Sequence, residues 1–168
     1  MAVLQVLAVL AVCLYLIPGG AHVLEMSTKL ALPPADYMVV QGIYGGWDHA
    51  AYALLAALVF TMAHAIAVWR LPTARWLSLG AFLALAGNLA VFFAYTYPIN
   101  VLTRSWTVAP ENLEMARRQW EYSHAVNAGF ALLALVLIVS SVLAGHAKGM
   151  ANQDTGSEAA GASLRPWL

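Results

Sequence analysis

Residues 120–145 read WEYSHAVNAGFALLALVLIVSSVLAG: one polar turn, then an almost unbroken apolar run. A helix crossing a bilayer needs about 20 mostly apolar residues, and this stretch exceeds that length with its formal charge confined to the first turn. Residues 2–21, 46–69 and 76–97 form three further windows of the same kind. Composition agrees, since 62% of the chain is hydrophobic and 10% charged, with a mean hydropathy of +0.73. A soluble domain has about 45–50% apolar and 25% charged residues. The sequence therefore predicts an all-α polytopic membrane protein, an antiparallel bundle of four transmembrane helices over residues 1–146. A flexible polar tail is expected over 147–168, where Gly, Ala, Ser, Asn and Asp mix without helical period.

Four spans place both termini on one side, together with the short turn Arg70-Leu-Pro-Thr-Ala-Arg75. The other side carries two longer connections, residues 23–45 and 98–119. Basic residues divide evenly, with Arg70, Arg75, Lys148 and Arg165 on the terminal side against Lys29, Arg104, Arg117 and Arg118 opposite. Arg70 and Arg75 sit against helix ends in a short loop, where the positive-inside rule weighs most. A multi-pass protein of the cell (inner) membrane with cytoplasmic termini is expected. Gly19-Gly20-Ala21 has the small residues of a secretory cleavage site, but no positive n-region precedes it, so an uncut first helix is the expectation. In the long connections, Pro33-Pro34-Ala35-Asp36 and Ala109-Pro110-Glu111 carry the proline and acid of helical first turns. They predict an interfacial helix through Tyr44 and a last helix starting near Pro110.

The chemistry-bearing signal is a repeated pair. His22-Val-Leu-Glu25 and Glu121-Tyr-Ser-His124 place the same two side chains three apart, in opposite order. On antiparallel helices both histidines then lie at one depth and both glutamates at another, one turn nearer the water. Ionisable groups at membrane depth are costly and usually functional. Asp48 and His49 fall at the same end of the second helix, with Asn100 at that end of the third. Soluble di-iron bundles use Glu from two helices and Glu-x-x-His from two others, so His22, Glu25, Asp48, His49, Glu121 and His124 are candidate ligands for a transition metal. The His-x-x-Glu order of the first helix departs from that motif. No cofactor at all remains the other expectation.

Bland readings stand beside these. Trp47, Trp106 and Trp120, with Tyr37, Tyr44 and Tyr97, fit an interfacial aromatic belt. Glu25 and Glu121 fit headgroup water, paired with Lys29, Arg117 or Arg118, at little energetic consequence. His64 lies about 22 Å along its helix from His49 at about 1.5 Å per residue, which separates it from the candidate site and excludes a haem held by both. Asn88 and Asn127 fit interhelical hydrogen bonds, and His146 an interfacial position. The single cysteine, Cys13, excludes an internal disulfide and a cysteine-based zinc cluster. A formal net charge of zero, a pI near 7.0 and the lack of a basic run exclude a nucleic-acid surface.

The segments His22-Val-Leu-Glu25, Leu32-Pro-Pro-Ala-Asp-Tyr37, Gln41-Gly-Ile-Tyr-Gly-Gly-Trp47, Pro98-Ile-Asn100 and Trp106 through Gln119-Trp-Glu-Tyr-Ser-His124 together resemble the anthrone oxygenase-like family of four-helix membrane proteins. The resemblance spans roughly residues 1 to 145. It implies oxidation of anthrones to anthraquinones, and it singles out Trp120, Glu121, His124, His22 and Asn100 as the residues to carry that chemistry; the paired spacing adds Glu25 to the candidate catalytic residues.

An oxygenase on this inventory makes chemical sense. An anthrone is apolar and weakly acidic, and its anion reacts with dioxygen, so a base and a stabiliser of the enolate suffice. His124 or His22 takes the proton, Glu121 or Glu25 orients the imidazole, and Trp106 and Trp120 bound a flat substrate. The metal alternative uses the same side chains as ligands. Two classes of function are therefore expected: an oxidoreductase acting on a hydrophobic aromatic or quinone-like molecule, or a non-enzymatic module binding lipid, a quinone or a partner helix. The first requires the two imidazoles to converge on a cavity. The second requires the glutamates to be closed in ion pairs with no room between the helices. Membrane lipid is the expected partner in both.

Overall fold

The computed structural model describes the backbone of residues 1–163 and the side chains of residues 1–147. The tail expected over 147–168 falls, save its first residue, outside the described side chains. Within the described residues four helices are long and apolar enough to cross a membrane: Ala2–Ala31, Trp47–Ala67, Pro72–Leu102 and Leu113–Ala147. The all-α architecture is as expected.

Helix α1 (Ala2–Ala31) continues well past Ala21, because residues 22–31 contain no helix breaker. It stops at Leu32, whose extended backbone is the one that Pro33 demands of its predecessor. Pro34 then opens α2 (Pro34–Val40) with Asp36 in its first turn, and a 3₁₀ turn, Gln41–Tyr44, follows. Gly46 adopts φ +84°, a left-handed value suited to glycine, and reverses the chain into a second 3₁₀ turn, Trp47–His49. Helix α3 (Ala50–Ala67) crosses back, and α4 (Pro72–Val91) starts on its own proline.

The third span ends irregularly. Phe92–Thr96 is a π turn, in which the Tyr97 N–H donates to the Phe92 carbonyl, and α5 (Tyr97–Leu102) carries Pro98 in its first turn. The Gln119 amide donates to the Tyr95 carbonyl at 3.0 Å, supplying a partner inside the widened stretch. Helix α6 (Leu113–Ser163) starts three residues later than Pro110 implied, because Asn112 is the cap: its Oδ1 accepts from the Met115 N–H at 3.0 Å.

The four long helices form a closed ring in which α6 packs on α4 and α1, and α3 on α1 and α4. Lipid gives helices no hydrophobic reason to associate, so close contact between small residues must supply the attraction. Buried alanines do so on every helix, among them Ala8, Ala11, Ala57, Ala81, Ala84, Ala131 and Ala134. Buried polar steps tie α4 to its neighbours. Tyr15 donates to Asn88 Oδ1 at 2.7 Å, and Asn88 donates to the Asn127 carbonyl at 2.8 Å. His64 Nδ1 lies 2.7 Å from Ser78 Oγ, itself 2.9 Å from Ser141 Oγ. His64 thus belongs to the far end of the bundle, as its spacing implied.

Gly19 tests this packing, since a Cβ there would lie 3.3 Å from Ala128 Cβ and 3.4 Å from Ala128 Cα, with no flexible atom to yield. A side chain at Gly20 would meet nothing within 4 Å. Gly19→Leu is expected to lower stability by about 1–3 kcal/mol and Gly20→Leu to leave it unchanged, as read by denaturant unfolding in mixed micelles. Equal effects at the two positions would contradict the close α1–α6 contact.

Candidate functional site

Extending α1 to Ala31 changes what its polar face holds. His22, Glu25 and Lys29, at spacings of three and four, line one face together. Helix α6 brings Trp120, Glu121 and His124 against them, and the segment from α2 to Trp47 folds over the end as a lid. The two imidazoles meet: the His22 and His124 rings stack with centroids 4.1 Å apart and planes at 24°. Trp120 stands edge-on to both, at 4.9 Å from His22 and 4.3 Å from His124. Tyr44 and Trp47 close the other side of His22 at 4.6 and 5.5 Å. The matched depth of the histidines is therefore realised as direct contact.

The centre of the cluster is Lys29, only 3% exposed. Its Nζ donates to Tyr44 Oη at 2.6 Å and to Glu121 Oε1 at 2.9 Å, and stands 3.5 Å from His22 Nδ1 and 3.7 Å from Glu25 Oε2. An ammonium has only protons to offer, so the nearby Nδ1 presents its lone pair. The ammonium also lies 4.5 Å from the centre of the Tyr44 ring and 5.1 Å from that of Trp120, a cation–π position for each. Tyr37 donates to Glu121 Oε1 at 2.9 Å, and Tyr44 donates to Glu25 Oε2. Burial, with the Glu121 carboxylate beside it, pushes the Tyr37 phenol far above its ordinary value; burial and the Glu25 contact do the same for Tyr44. Both phenols therefore stay neutral donors. Because their folded values are raised, the stability they contribute is present below the ordinary phenol value of 10.0 and is lost as pH rises beyond it.

Several expectations change here. Glu121 does not sit in headgroup water but is closed off by Lys29 and Tyr37, and Trp106 and Trp120, at 7% and 4% exposure, are core residues and not belt residues. Neither glutamate has an imidazole as its hydrogen-bond partner; Lys29 takes that place. Arg117 and Arg118 pair with Glu114, at 2.5 and 2.8 Å, and Arg117 also donates to the Leu32 carbonyl, fastening α6 to the end of α1. Asn100 accepts from the Trp120 indole N–H at 2.8 Å and so positions that ring without joining the cluster. Asp48 and His49 stay outside: both are exposed, His49 Nδ1 lies 3.5 Å from Asp48 and 2.6 Å from the Gly46 carbonyl.

This donor set does not fit a metal ion. Among the described residues no three His, Cys, Asp or Glu side chains are placed to hold one. The physical reason is that an ammonium already occupies the position between the two glutamates and also faces His22 Nδ1.

Trp106 reaches the core through a strained turn. Arg104, Ser105 and Trp106 have φ of 47, 56 and 63°, three consecutive left-handed residues with side chains. Each costs roughly 1–2 kcal/mol. Thr103 holds the turn, with its hydroxyl donating to the Ile99 carbonyl at 2.8 Å and accepting from the Trp106 N–H at 3.0 Å. The outcome is a Tyr37–Trp106–Trp120 wall with ring centroids 5.4 and 5.5 Å apart. Nothing in the spacing of these residues announced it. Lys29 was legible only as a possible ion partner, and its place at i+7 from His22 was the available signal.

Polar atoms within the cluster remain unpartnered in the protein. They are His124 Nε2, Glu121 Oε2, both amide atoms of Gln41 and the Trp106 indole nitrogen. Two described hollows lie elsewhere: one of about 380 Å³ between the start of α1 and His146, and one of about 250 Å³ on the outer face beside Tyr95, Gln119 and Tyr122. No family model, curated protein or solved structure matches this chain.

Removing one partner of a buried ion pair strands the other, at about 3–5 kcal/mol. Lys29→Met is expected to cost that much, and Lys29→Met with Glu121→Leu to recover most of it, in a double-mutant cycle of detergent unfolding. Additive losses would mean that Lys29 and Glu121 are not coupled.

Proposed function

We propose that the cluster is the site of a membrane oxidoreductase of oxygenase type, acting on a flat, hydrophobic aromatic or quinone-like molecule with an acidic C–H beside a carbonyl, the anthrone class. The observation that carries this reading is the imidazole pair stacked against Trp120, with His124 Nε2 left free of any protein partner. A buried imidazole nitrogen without a partner is what a general base needs; the rings around it are in mutual contact and both described hollows lie elsewhere, so this reading requires the lid to part for a flat substrate to enter. The resemblance to anthrone oxygenase-like proteins names the same residues.

The chemistry balances without a further cofactor. His124 Nε2 takes a proton from the methylene carbon, and the electron pair left behind spreads into the carbonyl as an enolate. The Lys29 ammonium beside His22 lowers the energy of that negative charge. Dioxygen, the oxidant, accepts electrons from the enolate and bonds to the same carbon, giving a peroxide that takes up the first proton. Loss of the second C–H proton to base then forms the C=O bond as the O–O bond breaks. Methylene plus dioxygen becomes carbonyl plus water, and both carbon-bound protons finish on that water. Asn100 keeps Trp120 in place for this geometry, and Glu25 anchors the Lys29–Tyr44 side.

A second reading has its own observation. Glu25 and Glu121 are both closed onto Lys29, and the aromatic rings pack against each other, which suits a non-enzymatic module in which the cluster fastens α1, α6 and the lid for binding lipid, a quinone or a partner helix. Oxygen uptake separates the two. Detergent-purified protein is expected to consume dioxygen with anthrone above the buffer rate, to place ¹⁸O from ¹⁸O₂ in the product carbonyl, and to lose roughly 10²–10⁴-fold in rate as His124→Ala. Uptake no faster than buffer would leave the second reading.

We further propose the cell (inner) membrane as the location, with both termini and the Arg70–Arg75 turn in the cytoplasm and the cluster facing outward. Support comes from Arg75, whose guanidinium lies 4.6 and 4.8 Å from the Trp69 and Trp76 rings at the helix ends, an interfacial arrangement. An alkaline phosphatase fused after Leu168 should be inactive in cells and one inserted between Thr107 and Val108 active; the reverse pattern would invert the topology.

A further inference from the structure

The end of the bundle away from the cluster carries side-chain charge of one sign. The acids of residues 1–147 are Glu25, Asp36, Asp48, Glu111, Glu114 and Glu121, and all of them lie on the cluster, its lid, or the connection that leads into α6. The opposite end has Arg70 and Arg75, and neither forms an ion pair among the described residues. The turn that holds them is tightly bonded: the Leu71 N–H donates to the Val68 carbonyl at 2.8 Å, and the Arg75 N–H to the Leu71 carbonyl at 2.9 Å. Both arginines are thereby fixed on one short link between two spans.

Arg75 is also held by aromatic rings. Its guanidinium packs against Trp69 and Trp76, at 4.6 and 4.8 Å from the ring centres, and both indoles are exposed at the level where a span meets the headgroups. Among the described residues, the only acceptor for the donors of that fork is the Trp69 carbonyl, at 3.5 Å from Nη1. A planar donor group is thus oriented in advance with most of its hydrogen-bonding capacity unused, and a second guanidinium stands on the same turn. A phosphate answers both, because its oxygens match the arginine fork in paired, charge-assisted hydrogen bonds. A zwitterionic lipid would bring an ammonium toward two cations and no acid. A lipid of net negative charge brings no such penalty.

We propose that the Arg70–Arg75 turn, with Trp69 and Trp76, is a binding site for the phosphate headgroup of an anionic phospholipid. Arg75 supplies the fork and Arg70 the second charge. The inference is independent of the oxidoreductase reading. In the orientation proposed above, the site meets the leaflet whose surface is negative.

The test titrates the full chain in detergent micelles with phosphatidylglycerol or phosphatidylcholine of the same acyl chains and counts bound lipid by native mass spectrometry. One basic residue at an anionic lipid surface corresponds to about fivefold in binding, so the native protein is expected to prefer phosphatidylglycerol about thirtyfold. Arg70→Gln should cut that preference about fivefold. Arg75→Lys keeps the charge and loses the fork, and it should lower the preference as far as Arg75→Gln does. A lysine that serves as well as the arginine would mean diffuse attraction and overturn the site. Arg118→Gln makes the same change in net charge at the other end, and it should alter the preference less than about twofold; an effect equal to that of Arg70→Gln would likewise overturn the site. Equal retention of both lipids by the native protein overturns the proposal. So does displacement of the bound lipid by excess inorganic phosphate, which would make the turn a site for free anions.

Discussion

A single ammonium group, Lys29 Nζ, sets the terms for one whole end of this bundle. Taking a charge of this kind out of water costs several kcal/mol even after relaxation, roughly, so its burial requires partners from every side. They come from three separate stretches: Glu25 on its own helix, Glu121 on α6, and Tyr44 on the lid. None of these segments could occupy its place independently of the others. Helix α1 must run to Ala31 to carry the lysine, α6 must start before Trp120 to carry the carboxylate, and the lid must fold inward so that its phenols, not water, complete the shell. The aromatic box around His22 follows from the same constraint, since the Tyr44 and Trp120 rings that the ammonium faces are also two of the rings packed against His22.

The membrane fold was legible because the physical requirement is blunt. A span needs length and apolarity, and four windows meet it whatever their detailed order; the ring of helices follows from short turns and small residues. The site was legible by half. Helical spacing and antiparallel packing sufficed to bring His22 and His124 together, because both operate within regular elements. What escaped was everything decided by irregular backbone. Periodicity says nothing of whether a connection folds over a helix end or drifts in headgroup water, so Tyr37, Tyr44 and Trp106 read as belt aromatics. The left-handed run at Arg104–Trp106 has no glycine to mark it, and the reversal of Lys29 from a surface charge to a buried hub depends on that same lid.

The interior of the bundle shows why ionisable chemistry is confined to one end. Between the cluster and the far side, the buried polar side chains include no Asp, Glu, Lys or Arg among the described residues, and several bond across helices: Tyr15 to Asn88, Asn88 to α6, and Ser78 to Ser141. A charge at the centre of a bilayer costs on the order of 2.5–3.5 kcal/mol even by the milder scales, and nothing on these helices offers it a counter-charge. Near the end of α1 the balance differs. The apolar run ends at Ala21, and Lys29 stands eight residues beyond, about 12 Å at about 1.5 Å per residue, so that its surroundings are protein and not lipid.

That position also explains the character of the lid. A lid of charged residues would exchange its contacts with water, and a purely apolar one would leave the ammonium and two carboxylates short of donors and acceptors. Phenols meet both demands, since each buries a ring and still offers one hydroxyl. Tyr37 and Tyr44 are held neutral by burial beside carboxylates, which keeps each hydroxyl a donor to a glutamate, and Tyr44 at the same time an acceptor from Lys29. The cost appears at Gln41 and Glu121, where closing the shell leaves polar atoms unmatched.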